Sequence, residues 1–263
     1  MSNKRMVPVA DLGQLVDGKI YIKGLVEELV LINECINLVI LEGANVSFLD
    51  STNSCNVVIE VKENAFVNYT ILNSNNTNRE FLVSGELKIN QISLEATNEN
   101  INVKLLRENA NCDIKCLSIS VSNNNIFEQY IDHLKPYTYS NIANVGVALN
   151  GSNITFNTTG KIQKGMNNSK CSQLSRGVVM DDVSSVTSLP ILLIDEYDCF
   201  ANHGATIGKM SDEDLFYLMS RGLSKKEAFL LILQGIINPF ISAITVDDIK
   251  EKIAKQITNM IEM

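Results

Sequence analysis

From about Lys19 to Ile194 the hydrophobic positions come in short runs separated by polar punctuation. GKIYIKGLVEELVLI, INLVILEGANVSFL, NVVIEVKENAFVNYTIL and DIKCLSISVS are rich in Val, Ile, Leu and Tyr. These side chains fit a pleated, half-buried surface. Many positions alternate apolar and polar, and Asn, Gly or Ser closes each run, which predicts strands. Helical periodicity is missing throughout. ILNSNNTNR and VSNNNIF read as turns or loops. Glu42-Gly43-Ala44-Asn45-Val46 is echoed 21 residues later by Glu63-Asn64-Ala65-Phe66-Val67, and again by Glu108-Asn109-Ala110. A repeat of that length with several short strands suits a parallel β-helix, in which each coil stacks on the last. Recurrent asparagines can form ladders along such a stack. The rival is a β-sandwich, which favours hairpin turns; Asn150-Gly151 is the single Asn-Gly pair that offers one. The absence of a strict hexapeptide repeat argues against a left-handed helix of the acyltransferase kind.

The pattern changes at Ser211. Ser211-Asp212-Glu213-Asp214 resembles a capping box with acids in the first turn, LFYLMS continues it, and Arg221-Gly222 supplies a stop. Ser224-Lys225-Lys226-Glu227 is a second capping box and opens AFLLILQGII, expected to end before Pro239. Thr245-Val246-Asp247-Asp248 opens a third helix, with Ile249, Ile253 and Ile257 on one face. The predicted organisation is an N-terminal segment (1–18), a β core (19–210) and a C-terminal helical region (211–263).

Composition narrows the function. The chain has 263 residues, 45% of them hydrophobic, enough for a sizeable core. Its net charge of -8, without a Lys/Arg cluster, argues against nucleic acid or an anionic membrane as partner. No apolar run reaches the roughly 18–20 residues of a membrane helix; the longest, around Leu192, is broken by Asp195 and Glu196. The opening MSNKRMVPVADLG has no apolar stretch of the secretory kind, so a cytoplasmic protein is expected. In that setting triplets such as Asn153-Ile154-Thr155 are products of high asparagine content. The six cysteines, Cys35, Cys55, Cys112, Cys116, Cys171 and Cys199, are read as thiols, and none forms a CxxC pair.

Cys112 and Cys116 have metal-like spacing, but they alternate with Asp113 and Lys115 as strand residues do. Four strand residues span roughly 13 Å, too far for one ion, so buried thiols are expected. His133, in DHLKPYTYS, reads as a structural loop histidine. His203 is different: it lies close in sequence to Asp195, Glu196, Asp198 and Cys199, where body meets tail. Imidazole, thiolate and carboxylate all bind iron; surface acids at a strand end are the bland reading. GxxxxGK[ST], GxSxG and HExxH are all absent. The chain looks like a scaffold or partner rather than a conventional enzyme; a β-helix carbohydrate-active enzyme or a purely structural β-helix is the alternative, and the enzyme would need carboxylates clustered on one exposed face.

HLKPYTYSNIANVGVALNGSNITFNTTGKI, then SQLSRGVVMDDVSSVTSLPILLIDEYD, then NHGATIGKMSDEDLFYLMSRGLSKKEA, in this order, resembles the SufB/SufD family of SUF iron–sulfur cluster assembly. The likeness runs from about His133 to Pro239 and more loosely over the β region before it. It implies a right-handed parallel β-helix with C-terminal helices, and a scaffold subunit that works with the SufC ATPase. It also implies pairing with a similar subunit or a second copy, a transient iron–sulfur cluster as cargo, and nucleotide bound by the ATPase rather than by this chain. His203 carries over as the motif histidine. SufD-like members carry a cysteine two residues before it, where Ala201 stands; SufB-like members have Glu–His–Glu, where Asn202 and Gly204 flank His203. The scaffold cysteine of SufB-like chains falls near Ser175, with Cys171 close by. His203, Cys199 and Cys171 are therefore the candidates for cluster assembly, and Cys171 and Cys199 are expected to be the more reactive thiols. The family assigns the ATPase contact to the tail, which makes Leu215, Phe216, Tyr217, Arg221 and Phe229 interface candidates. Deleting the chain from Ser211 is expected to leave the β body folded.

Overall fold

Along the central strands alternate side chains point inward and meet inside a single coil, which makes the chain a parallel β-helix. The computed structural model describes residues 5–244 and 246–262, the side chain of Glu262 excepted. In chain order the early strands are β1 (Met6–Pro8), β2 (Gln14–Val16), β3 (Lys19–Ile22), β4 (Leu25–Ile32), β5 (Ile36–Ile40), β6 (Asn45–Asp50), β7 (Asn56–Val61), β8 (Phe66–Leu72) and β9 (Thr77–Val83). The later ones are β10 (Glu86–Ser93), β11 (Thr97–Leu105), β12 (Asn111–Val121), β13 (Asn124–His133), β14 (Tyr139–Leu149), β15 (Asn153–Ile162), β16 (Lys170–Val179), β17 (Ser185–Ile194) and β18 (Phe200–Gly208). They form two nine-stranded sheets, β1-β4-β6-β8-β10-β12-β14-β16-β18 and β17-β15-β13-β11-β9-β7-β5-β3-β2. Among the described strands all pairings are parallel except β2 with β3, a hairpin turned by Asp17 and Gly18, both at positive φ. β1 pairs with β4, so residues before Lys19 take part in both sheets.

The repeated Glu-x-Ala corner is a stacked turn. Asn45 pairs with Phe66 and Val46 with Val67; Ala44, Ala65 and Ala110 each close a turn to the residue three before, and the next coil's amide reaches back to Ala44, Ala65 and Ala110 in turn. Gly43, Asn64 and Asn109 take the left-handed conformation within those turns, which glycine and asparagine tolerate best. Gly85 occupies the coil between. A Cβ there would stand 2.4 Å from the Ala65 carbonyl oxygen and 2.6 Å from that of Lys62, so the stack admits only glycine.

The lumen is apolar towards the N-terminal end, with Phe48, Tyr69, Phe81 and Ile89 inside. One buried ionic group interrupts it. Arg79 Nε donates to Asp50 at 2.7 Å, its Nη2 donates to Ser74 Oγ at 2.7 Å, and its Nη1 pairs with Glu99. All three charged side chains are sealed from solvent. Burial raises the Glu99 pKa; for Arg79 burial acts downward, but the charges of Asp50, Tyr69 and Glu99 overcome it and hold the guanidinium above its ordinary value.

The tail has three helices, α1 (Asp212–Ser220), α2 (Lys225–Ile241) and α3 (Asp247–Glu262). Ser211 Oγ accepts from the Asp214 amide, and Ser224 with Glu227 completes a capping box. Thr245, read as the opening of the third helix, lies outside the described residues. α2 does not end before Pro239: the helix runs on to Ile241. Proline removes one helical hydrogen bond, but Phe240 and Ile241 are buried against the body, and the Phe240 carbonyl accepts from Asn90 at 3.1 Å. The tail is thus packed on the body. Leu117 and Ile119 of β12 and Val145 and Val147 of β14 point outward and meet Leu233, Ile237, Ile253 and Ile257. That contact explains why β12 and β14 lose their alternation of burial halfway along.

Two thiol assignments change. Cys35 and Cys55, read as free thiols, are joined in a disulfide between neighbouring coils, with Cα atoms 5.2 Å apart. Stacking puts residues 20 apart side by side, a proximity invisible in spacing alone. His133 is not a loop residue: it ends β13 and is fully buried. Cys112 and Cys116 are buried in β12, with burial raising both pKa values.

Candidate functional site

The last coil leaves the β-helix open. Among the described residues β18 pairs only with β16, and β17 only with β15, so each presents one free strand edge. Within β16 the inward positions are Cys171, Gln173, Ser175 and Gly177, and their register partners on β18 are Ala201, His203, Ala205 and Ile207. His203 therefore stands on the lumen-facing column, directly over Gln173. It is exposed because no further coil covers it. Opposite, the inward positions of β17 include Ser188, Pro190 and Leu192.

Beneath this mouth the lumen is polar. Gln173 is 2% exposed, and Thr158, Asn144 and Gln129 are equally sealed. Asn144 Nδ2 donates to Gln129 Oε1 at 2.9 Å. Gln173 Oε1, Thr158 Oγ1, Asn144 Oδ1 and Gln129 Nε2 lack partners, an arrangement that internal water normally satisfies.

One loop shapes the side of the mouth. The Glu196 carboxylate accepts from the amides of Tyr197 at 2.9 Å, Asp198 at 3.0 Å and Gly165 at 2.7 Å. These bonds to the charged form hold its pKa below the ordinary value. Asn168 N donates to the Asp198 carbonyl at 2.6 Å. Cys199 hangs in this loop, half-buried, its Sγ 3.2 Å from the Glu196 carbonyl. Burial raises its pKa, and the charges of Glu196 and Asp198 add to the rise. Leu192, Ile194, Asp195, Glu196, Tyr197, Cys199 and Ala201 line a cleft here, and Tyr197 is fully exposed.

The three candidates for cluster assembly fall at one end of the coil but not in one ligand set. His203 is over the lumen, Cys199 is in the side loop, and Cys171 is 1% exposed, one coil down and under Ala201. Cys171, expected to be one of the two more reactive thiols, is turned inward by its strand parity and buried. Among the described residues no three His, Cys, Asp or Glu side chains are gathered to hold a metal ion. The interface candidates also divide. Phe216 and Tyr217 are exposed, with Arg221 stacked on the Tyr217 ring at 5.4 Å. Leu215 is buried and Phe229 packs on the helix–sheet core.

Sequence reasoning missed the open end itself. β17 is apolar on both faces: Pro190, Leu192 and Ile194 inward, Leu189, Ile191 and Leu193 outward and about half exposed. The unbroken LPILLI was its signal, since a strand apolar on both faces needs cover on both.

Comparison with known proteins gives the family. The SUF-system iron–sulfur cluster assembly SufBD core domain matches residues 20–236. The SufD protein of Bacillus subtilis is 33% identical over 136 residues, 52% of this chain and 30% of that protein. An iron–sulfur cluster assembly SufBD family protein of Mycobacterium tuberculosis (strain H37Rv) is 31% identical over 206 residues, 72% of this chain and 24% of that one. The SufB protein of Bacillus subtilis is 28% identical over 229 residues, 81% of this chain and 48% of SufB. The chain thus spans half or less of the length of these relatives. No helix among the described residues is long and apolar enough to cross a membrane. With a parallel β-helix, its helical tail and a core match over most of its length, the chain belongs to the SufB/SufD family of SUF-system iron–sulfur cluster assembly proteins.

Proposed function

We propose that the chain is a non-enzymatic scaffold subunit of cytoplasmic iron–sulfur cluster assembly, working with a SufC-type ATPase and carrying the nascent cluster as cargo. The observation that carries this reading is the open mouth: His203 over a polar lumen, with Cys199 beside it, between two free strand edges bearing apolar side chains. Among the described residues one chain gathers no metal-binding set, and a second β-helix, either a copy or a related subunit, brings another histidine and thiol to the same place. Strand edges of this kind pair readily with other strands, and outward Leu189, Ile191 and Leu193 would lose water on pairing. The exposed Phe216 and Tyr217, with Arg221, offer the ATPase an aromatic and cationic contact, the residue types that anchor interfaces. Nucleotide is bound by the ATPase.

The test is co-expression with the ATPase and candidate partner subunits, anaerobic purification, and an assay of iron and sulfide. A complex that holds both elements supports the scaffold. A chain that binds neither the ATPase nor a β-helix partner, and holds no iron or sulfide, overturns it.

A further inference from the structure

Towards the end of the β-helix opposite the mouth, one covalent bond holds a corner that later coils hold with asparagines. At the corner where the chain passes from one sheet to the other, Asn53 Oδ1 accepts from the Asn75 amide at 2.9 Å, and Asn75 Oδ1 accepts from the Asn98 amide at 2.8 Å. Backbone bonds run alongside, from Ser54 N to the Asn75 carbonyl at 2.9 Å and from Asn76 N to the Asn98 carbonyl at 2.8 Å. One coil earlier, between β4 and β5, the ladder stops. Asn33 and Glu34 are exposed, and among the described residues neither side chain bonds to the next coil. The hydrogen bond closest in sequence runs from Ser51 N to the Ile32 carbonyl at 3.3 Å. The Cys35–Cys55 disulfide stands where the next rung would be, with Cα atoms 5.2 Å apart.

The flanking strands add little to this corner. β4 pairs with β6 at five positions, its register broken between Leu25 and Leu29, and β5 pairs with β7 at five. Further along, β12 pairs with β14 at eleven positions and β13 with β15 at ten. Segments tied by few such bonds open at the lowest cost. The two sulfurs also differ in access: Cys35 is exposed, whereas Cys55 is 6% exposed. The other four cysteines belong to later coils, Cys112, Cys116 and Cys171 buried in them and Cys199 in the mouth loop.

We propose that Cys35 and Cys55 are a reversible thiol–disulfide switch, oxidised by a small disulfide and reduced by a small thiol, that sets whether the β4–β5 corner is fixed to the next coil. Oxidation starts at the exposed sulfur. The Cys35 thiolate attacks one sulfur of the small disulfide, that sulfur–sulfur bond breaks, a mixed disulfide forms on Cys35, and one thiolate leaves. Cys55, as thiolate, then attacks the Cys35 sulfur; the protein disulfide forms and the second thiolate leaves. The protein gives up two electrons and two protons, and the small disulfide becomes two thiols. Reduction is the reverse, opened by a small thiolate at Cys35, with Cys55 as the leaving thiolate. β5 and β7 stay paired from Ile36 with Val57 onward, which keeps the two sulfurs close and makes closure intramolecular. Opening takes away the corner's covalent rung. In the reducing compartment proposed above, an exposed disulfide is open to such exchange.

The test needs neither iron nor a partner, so its outcome is separate from the scaffold reading. The full chain is equilibrated without air in glutathione mixtures that run from all oxidised to all reduced. Free thiols are then blocked with N-ethylmaleimide, and Cys35 and Cys55 are read by mass spectrometry. The pair is expected to pass from disulfide to dithiol within that series. A disulfide that survives fully reduced glutathione, or a dithiol that survives fully oxidised glutathione, overturns the switch. Hydrogen exchange on the two forms reads the consequence: amides from Leu31 to Ile40 should exchange about tenfold faster or more in the dithiol, while those of β12 to β15 stay unchanged. Equal exchange at the corner in both forms overturns the bond as its tie. Both measurements use the wild-type chain, so neither depends on a variant folding. In oxidised glutathione, Cys55→Ser should leave a stable mixed disulfide on Cys35, whereas Cys35→Ser should leave Cys55 unmodified, because burial shields it; the opposite pattern overturns Cys35 as the point of entry.

Discussion

Replacing Arg79 by Met tests whether the buried ionic group is held by its central cation. The guanidinium is sealed from solvent and pairs with Asp50 and Glu99, both equally sealed. A methionine fills much of the volume but leaves two carboxylates without their counter-charge. Removing one partner from a buried pair costs about 3–5 kcal/mol, a large part of the roughly 5–15 kcal/mol that holds a domain together. The loss should depend on pH. Burial already raises the Glu99 pKa, and Arg79 is the first influence pulling it back; without Arg79 it rises further. The folded variant then keeps a proton that the unfolded chain, with a glutamate pKa of about 4.3, has released. Binding more protons in the folded state means that stability falls as pH rises through this window. Lowering the pH from about 7.5 to about 5.5 should therefore shrink the deficit of Arg79→Met, by up to about 1.4 kcal/mol per unit. Urea unfolding followed by circular dichroism, wild type against variant at both pH values, measures it. Adding Glu99→Gln should recover part of the loss. A deficit below about 1 kcal/mol, or one indifferent to pH, would show that solvent reaches the group and that the reasoning fails.

His203→Ala removes an exposed side chain, so the thermal midpoint and complex formation should stay near wild type, with a change below about 0.5 kcal/mol, while iron content after reconstitution falls sharply; a collapsed midpoint would make the residue structural. Gly85→Ala drives a methyl into the carbonyls of Ala65 and Lys62 and should cost about 1–3 kcal/mol in urea unfolding; no loss would mean that the corner stack gives way easily. Deleting residues from Ser211, expected from the sequence alone to leave the β body folded, instead exposes Leu117, Ile119, Val145 and Val147 under the tail helices, each worth about 1.5–3 kcal/mol when buried, so the truncated chain should aggregate in size-exclusion chromatography; a soluble, fully folded β body would refute the helix–sheet packing.

How far the fold could be read depended on how regular the coil is. The corners at Ala44 and Ala65 sit in coils of equal length, so the echo of Glu42–Val46 at Glu63–Val67 is the true register. Elsewhere the coil length changes: it is shorter where Leu29 pairs with Ser47 and longer where Leu87 pairs with Cys112 and Ser140 with Cys171. A period that drifts gives no sharp repeat, and the later corners could not be aligned by counting. The helix starts were legible because capping is local chemistry: Ser211 and Ser224 both make the predicted bonds. The end of α2 was not, because Phe240 and Ile241 are held by the body rather than by helix propensity. The Cys35–Cys55 disulfide was missed for the same reason as the drift, since pairing follows register and not compartment or spacing.

The site was half legible, and register explains which half. His203 stood out by its motif, yet its role turns on parity: one residue either way and the imidazole would leave the lumen column for the outer surface, where Asn202 and Gly204 lie. The same parity withdraws Cys171 from solvent beside its register partner Ser140, which is hydrogen-bonded to His133, so a residue expected to be a reactive thiol and one taken for a loop histidine both lie buried in the lumen. Neither placement follows from the residues alone, because each depends on which strands stack beneath. LPILLI carried the remaining information. A strand with apolar side chains on both faces, at the last coil of a helix that otherwise alternates, leaves an outer face that the chain itself does not cover. The free edges of β17 and β18 lie in the same place as the histidine. Terminal repeats of stacked folds carry a polar or capped outer face; here the last coil instead brings together the motif histidine, a half-buried loop thiol and two strand edges unpaired among the described residues, and that coincidence is what the proposed pairing with a second β-helix rests on.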